Sequence, residues 1–254
     1  MPAKPSSQAV ALVTGGARRI GAAIARRFHG AGCRVVIHYN QSKQEAEQLA
    51  AELNGATVQA DLTRQADVAR LAQDSLACFG RIDYLINNAS SYYPTPLPEA
   101  TQSQWDDLID SNLRAAFFLT RDLQEELKKH GGSVVNIIDA MCEGGMEKHS
   151  IYSIAKSGLA GMTRSLAREL GPALRINGVS PGAILWPASL EDSALAQSAN
   201  PEQIEAMRNK VLAQIPLGKL GTPEAIADAT YFLAVEASYM TGSILKVDGG
   251  RSLG

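Results

Sequence analysis

Residues 9 to 21 read AVALVTGGARRIG. Five apolar residues, Ala9 to Val13, suit a short strand buried on both faces, and the run breaks at Gly15 and Gly16. From Ile20 onward, IGAAIARRFHGAG (20–32) carries apolar residues at helical spacing and closes on Gly30 and Gly32, as a helix C-terminus does. A strand that turns on glycines straight into a helix is the opening half of a βαβ unit. Its turn lets backbone N–H groups approach a pyrophosphate, and the helix N-terminus adds partial positive charge. The strict G-x-G-x-x-G spacing is absent. Thr14, Gly15 and Gly21 instead fit T-G-x-x-x-G-x-G, with Arg19 standing where the middle glycine would be.

Beyond this unit the alternation continues. CRVVIHY (33–39) reads as a strand and QSKQEAEQLAAELNG (41–55) as an amphipathic helix ending in Asn-Gly. ATVQADL (56–62) is a third strand, DVARLAQDSLACFG (67–80) a helix, and IDYLINNAS (82–90) a fourth strand entering a polar loop. Two helical segments precede a fifth strand, SVVNIID (133–139). Tyr152 opens a long helix reaching about Leu170, RINGVSPG (175–182) is a sixth strand, and TGSILKVDGG (241–250) is the last. This order predicts an α/β fold of Rossmann type: a doubly wound parallel β-sheet with helices on both faces, in a single domain over 1–254. Residues 1–8 read as a frayed tail. Residues 186–215, rich in small and polar side chains, read as an inserted substrate lid.

Formal net charge is −2, a balance that argues against nucleic acid or an anionic membrane as the main partner. Cys33, Cys78 and Cys142 are scattered without metal-ligand spacing. They read as reduced thiols of a cytoplasmic protein, and no metal is expected.

NAD-binding units place an acid at the end of the second strand to grip the ribose 2′-hydroxyl. Here that strand ends in HYNQSK (38–43), with no acid before Glu45, while Arg18 and Arg19 bring two guanidinium groups to the turn. A guanidinium pairs well with a phosphate, so the pattern predicts NADPH rather than NADH. Tyr152 and Lys156 lie four apart on one helix and share a face. A nearby ammonium favours the phenolate, so the pair predicts a tyrosine of lowered pKa serving as proton donor or relay. Asp139 closes the fifth strand, where a carboxylate can face that pair or simply cap a turn.

At these residues the chain resembles the short-chain dehydrogenase/reductase family over nearly its whole length. The matching pieces are TGGARRIG (14–21), Asp61-Leu62, NNAS (87–90), Asn112, Tyr152 with Lys156, and Pro181-Gly182. The resemblance implies cofactor contacts from Gly15, Arg18, Arg19 and Ile20 in the first turn. It implies others from Tyr39, Asn40, Gln41 and Ser42 after the second strand, and from Asp61 and Leu62 beside adenine. Asn88, Ala89 and Ser90 would line the cofactor, with Pro181, Gly182 and Ile184 after the sixth strand. Lys156 would hold the nicotinamide ribose beside Tyr152, and Asn112 would support a proton-relay water. The resemblance also implies a homotetramer.

The common members carry a serine 13 residues before the tyrosine, whose hydroxyl holds a substrate oxygen; here that residue is Asp139. An ionised carboxylate donates no hydrogen bond and repels a developing alkoxide. It suits a substrate presenting N–H groups, a nitrogen heterocycle whose C=N bond is reduced. A narrower resemblance, to the pteridine reductases, rests on Arg19, HYNQS (38–42), NNASSYYPTPL (87–97), DAM (139–141) and LKVDGGRSL (245–253). It implies a dihydropterin substrate held by Arg19, Ser90, Tyr92, Asp139 and Tyr152, with Tyr92 stacked on the ring. Position 92 is tyrosine where phenylalanine is usual, and Asn40-Gln41 replace a basic pair. Two rival readings stand beside this one: a carbonyl reductase of the same family, against which Asp139 counts, and a non-catalytic NADP(H)-binding protein, against which Tyr152, Lys156 and Asn112 count.

Overall fold

The computed structural model describes residues 8–184 and 201–253. Its frame is a parallel sheet of seven strands: β1 (Val10–Val13), β2 (Arg34–Tyr39), β3 (Ala56–Gln59), β4 (Tyr84–Asn87), β5 (Ser133–Ile137), β6 (Arg175–Pro181) and β7 (Ile244–Val247). The spatial order is β3-β2-β1-β4-β5-β6-β7. The helices are α1 (Arg19–Gly30), α2 (Lys43–Leu53), α3 (Gln65–Phe79), α4 (Gln102–Ile109), α5 (Ala115–Lys129), α6 (Ser150–Leu170), α7 (Pro201–Ala213) and α8 (Pro223–Tyr231).

Alternation along each strand divides the core in two. Val13, Val35 and Ile37 point to the face covered by α1, α2 and α8, packing with Ile24, Phe28, Leu49 and Ile226. Val10, Leu12, Leu85 and Val134 point to the opposite face, against Leu71, Leu119, Leu123, Leu159 and Leu166 of α3, α5 and α6. Burial on both faces is why these strands read as unbroken apolar runs. A polar thread crosses the second layer: the Asn87 amide donates to Asn136 Oδ1 at 2.8 Å, and the Asn136 amide donates to Thr163 Oγ1 at 2.9 Å. Buried polar groups must pair, so this thread sets α6 against β4 and β5 in one register.

The strands are shorter than their apolar runs. The fifth ends at Ile137, leaving Asp139 outside the ladder, and Tyr152 is the third residue of α6 rather than the first. The last strand spans Ile244–Val247, because Gly249 and Gly250 take positive φ and the Asp248 carboxylate accepts N–H bonds from Gly250 and Ser252. The α8 helix has no counterpart in the reading from periodicity. Its signal is local: Thr222 Oγ1 caps the Ala225 N–H at 3.2 Å and Pro223 takes the first turn. Between α4 and α5 runs a π-helical segment, Asp110–Arg114. Ser111 Oγ donates to Asp107 O at 2.7 Å and the Asn112 amide to Leu108 O at 3.0 Å, each taking a carbonyl that a regular turn would use. Residues 1–7 of the expected tail, and 186–200 of the expected lid, lie outside the described residues; Pro201–Ala213 of that lid is helical.

Gly21 leaves no room for a side chain: a Cβ there would stand 2.2 Å from Gly15 O and 2.8 Å from Asn88 Nδ2. The Gly21→Ala variant is expected to lose about 1–3 kcal/mol of stability in urea unfolding, with its far-ultraviolet circular dichroism spectrum retained.

Candidate active site

The ends of β1 and β4 are stapled where the strand order reverses. Thr14 Oγ1 accepts the N–H groups of Asn88 at 2.9 Å and Ala89 at 3.0 Å. The Asn88 amide donates in return to the carbonyls of Thr14 at 2.9 Å and Gly15 at 3.2 Å. A sheet that winds outward in both directions from β1 opens a crevice at this point, with the N-terminus of α1 pointing into it. Arg19 takes φ +51°, in the left-handed region that favours glycine. That costs on the order of 1 kcal/mol for a residue with a Cβ, and it sets a guanidinium-bearing side chain at the mouth of the helix.

At the other end of the crevice stands the acid. Asp139 caps the 3-10 turn Ala140–Glu143, its Oδ1 accepting the Met141 N–H at 2.8 Å. Its Oδ2 accepts the Tyr152 hydroxyl at 3.0 Å. The two roles that position allowed are both filled, one by each carboxylate oxygen. Lys156, one helical turn beyond Tyr152, is buried and donates to Ile137 O at 2.9 Å. Ser90 Oγ donates to Asn112 Oδ1 at 2.6 Å, and the Asn112 amide also reaches Ser91 O at 2.9 Å. Asn112 thus stands behind the crevice wall, in the π segment, bonded to Ser90. Tyr92, 54% exposed, stacks on His149 with centroids 4.8 Å apart and meets Tyr152 edge-on at 4.9 Å.

The expected lowering of the Tyr152 pKa is reversed. Burial, then the Asp139 charge, push the phenol well above its ordinary range. Lys156 cannot counter them: its ammonium turns to Ile137 O and lies 5.8 Å from the phenol ring centroid. Burial in turn draws the lysine down from 10.5 to about 8, with Asp139 resisting.

Between these ends lies a cleft of about 890 Å³. Gly15, Arg18, Arg19 and Ile20 line it at the glycine turn, Tyr39, Asn40, Gln41 and Ser42 after β2, and Asp61 and Leu62 after β3. Asn88, Ala89, Ser90 and Tyr92 line it after β4, Asp139, Tyr152 and Lys156 beyond β5, and Pro181, Gly182 and Ile184 after β6. The sequence reading missed Thr63, Ser91, Asp107 and Ser111 in the same wall. Ser111 could have been found from its place beside Asn112. Asp61 commits Oδ1 to Thr63 in its own turn, and Arg18 pairs with Glu45 at 3.5 Å across an exposed gap.

A family model described as enoyl-(acyl carrier protein) reductase, a branch of the short-chain dehydrogenases, matches residues 15–252. The chain belongs to the short-chain dehydrogenase/reductase family. It is 37% identical to L-fucose dehydrogenase of Oryctolagus cuniculus over 248 residues, covering 96% of this chain and 85% of the relative. It is 35% identical to pteridine reductase 1 of Leishmania tarentolae over 291 residues, covering 96% of each. A crystal structure of a blue fluorescent protein from a metagenomic library, in complex with NADPH, superposes with TM-score 0.83 at 33% identity, covering 96% of this chain and 97% of that one. The protein is therefore an NAD(P)-dependent oxidoreductase of the short-chain type.

The donor set fits such a cofactor. Lys156 is a buried cation with three N–H donors, and among the described residues Ile137 O is its one hydrogen-bond acceptor. The remaining donors suit ribose hydroxyls, and the glycine turn and α1 suit a pyrophosphate. In the free short-chain dehydrogenase this arrangement is costly. The depressed lysine pKa costs the fold on the order of 3 kcal/mol at neutral pH. The folded value lies below the unfolded one, so the cost is full below about pH 8 and gone above the unfolded value of 10.5. Lys156→Met is expected to raise the Tm of the cofactor-free protein at pH 7, to lose that gain above pH 10.5, and to cut turnover about 100-fold or more. Scanning fluorimetry at the two pH values and a turnover assay check the three parts.

Proposed function

We propose that the protein is an NADPH-dependent pteridine reductase acting on the C=N bond of a dihydropterin: dihydrobiopterin, dihydromonapterin or dihydrofolate. The observation that carries this reading is the carboxylate of Asp139 on the Tyr152 hydroxyl at 3.0 Å, at the end of the cleft. NADPH bound in the cleft supplies the hydride. Reducing C=N then requires one proton on ring nitrogen. A phenol held far above its usual range is a weak acid alone, so the Asp139–Tyr152 pair relays the proton together: the Tyr152 hydroxyl gives its proton to the ring nitrogen and takes another, drawn from solvent, along its bond to Asp139. The same carboxylate accepts hydrogen bonds from ring N–H or amino groups, and it repels an alkoxide. Lys156 holds the nicotinamide ribose, and Arg18 with Ser42 grips the 2′-phosphate. Tyr92 and Arg19 clamp the substrate ring, with Ser90 beneath it, so that the reacting atoms meet.

The likeness to L-fucose dehydrogenase supports a second reading, oxidation of a sugar hydroxyl. A group that must cradle an oxyanion is poorly replaced by Asp139, and this ranks it second. Cytoplasmic location and a homotetramer complete the proposal; none of the described helices is long and apolar enough to cross a membrane.

Loss of NADPH absorbance with the three dihydropterins, run beside NAD(P)+ reduction by L-fucose, decides between the readings; turnover of L-fucose with all three pterins inert overturns the first. Asp139→Ser is expected to lower pterin turnover about 100-fold while leaving NADPH affinity within about twofold, and unchanged turnover removes the carboxylate from the chemistry. The KM for NADPH is expected to be at least about tenfold below that for NADH, with Arg18→Ala closing the gap.

A further inference from the structure

His38 is a polar residue inside an apolar strand, 1% exposed, one place before the end of β2. Both ring nitrogens are engaged. Nδ1 lies 3.0 Å from the backbone N of Gly15, and Nε2 lies 3.1 Å from Ala60 O. An amide N–H can only donate and a carbonyl can only accept, so the ring is the neutral tautomer with its proton on Nε2. Burial holds the imidazole down at about 4, which keeps it neutral at physiological pH. The backbone adds a third tie, the Gly16 N–H donating to His38 O at 3.0 Å. One residue of β2 therefore grips the first two N–H groups of the glycine turn and the backbone just after β3.

Gly15 is the residue this matters to. It sits at φ +59°, and its Cα region packs so closely on Ala89 that a Cβ would stand 2.9 Å from Ala89 Cα. Its carbonyl is taken by Asn88 and its N–H by His38. With both ends committed, the Gly15 peptide is held with its N–H turned to His38, and this sets the path of the chain that follows into the crevice.

We propose that His38 is a positioning residue for cofactor binding: Nδ1, as acceptor of the Gly15 N–H, holds the glycine turn in the shape that receives the pyrophosphate. The role rests on cofactor use alone and stands whatever the substrate, and whichever nicotinamide is preferred. Asparagine places an acceptor near the Nδ1 position, whereas glutamine reaches the Nε2 position and can restore only the bond to Ala60 O. NADPH and NADH affinities of the full-length wild type, His38→Asn and His38→Gln are to be measured by fluorescence titration. The Asn variant is expected to stay within about threefold of wild type, and the Gln variant to bind both cofactors about tenfold more weakly, with the loss in KM and little change in kcat. A Gln variant binding like wild type, or an Asn variant as weak as Gln, overturns the assignment. Should either variant fail to fold, the long-range proton–nitrogen spectrum of the wild-type histidines decides. A His38 with hydrogen on Nε2 and a bare Nδ1, unchanged as a tautomer when NADPH is added, supports the role; a proton on Nδ1 defeats it.

Discussion

Parallel strands cannot be joined by a tight turn, so each must be returned by a helix, and at β1 the chain winds away in both directions. That constraint organises the molecule. It buries the strands on both faces, gives the sheet its β3-β2-β1-β4-β5-β6-β7 order, and leaves the ends of β1 and β4 with no crossover above them. The crevice there is a consequence of winding. Thr14 and Asn88 close its floor by satisfying backbone groups that would otherwise lie bare. Most of the cleft wall then comes from loops just past the strand ends, and α6 brings Tyr152 and Lys156 to it.

The far end of the cleft is expensive. A buried phenol and a buried ammonium are gathered beside a carboxylate, and the shifts on Tyr152 and Lys156 follow first from that burial. The polar thread through Asn87, Asn136 and Thr163 is what allows it. It locks α6 to the sheet, and hence the phenol to the carboxylate, without drawing on Tyr152 or Lys156 themselves. The π segment does the same for Asn112 and Ser90. Side chains that capture carbonyls of their own helix distort it, and the distortion aims the asparagine at the back of the cleft wall.

Much of this was legible in the chain. The glycine turn, the end of β2 at Tyr39, Asp61 just past β3, and the Tyr152–Lys156 spacing place cleft residues because each depends on local periodicity or on position after a strand. Where the reading failed, the cause was non-local. The phenol pKa was expected to fall because the lysine is four residues away, yet the lysine turns to Ile137 O, and burial dominates. The pairing of Arg18 with Glu45, 27 residues away, has no signal in local spacing either. The α8 helix escaped because its start is marked by a cap and a proline rather than by a long apolar stripe.

By itself the sequence determined the fold class, the family and the identity of the residue 13 places before Tyr152, since these follow from short-range pattern and from which side chains are present. Only the tertiary structure decided that Asp139 divides its two oxygens between a turn and a phenol, that Asn112 stands behind the wall rather than in it, and that His38 fixes the glycine turn through a single tautomer. Hydrogen-bond partners and desolvation depend on what the rest of the chain brings within about 3 Å of a group, and that is set by packing, not by spacing along the chain.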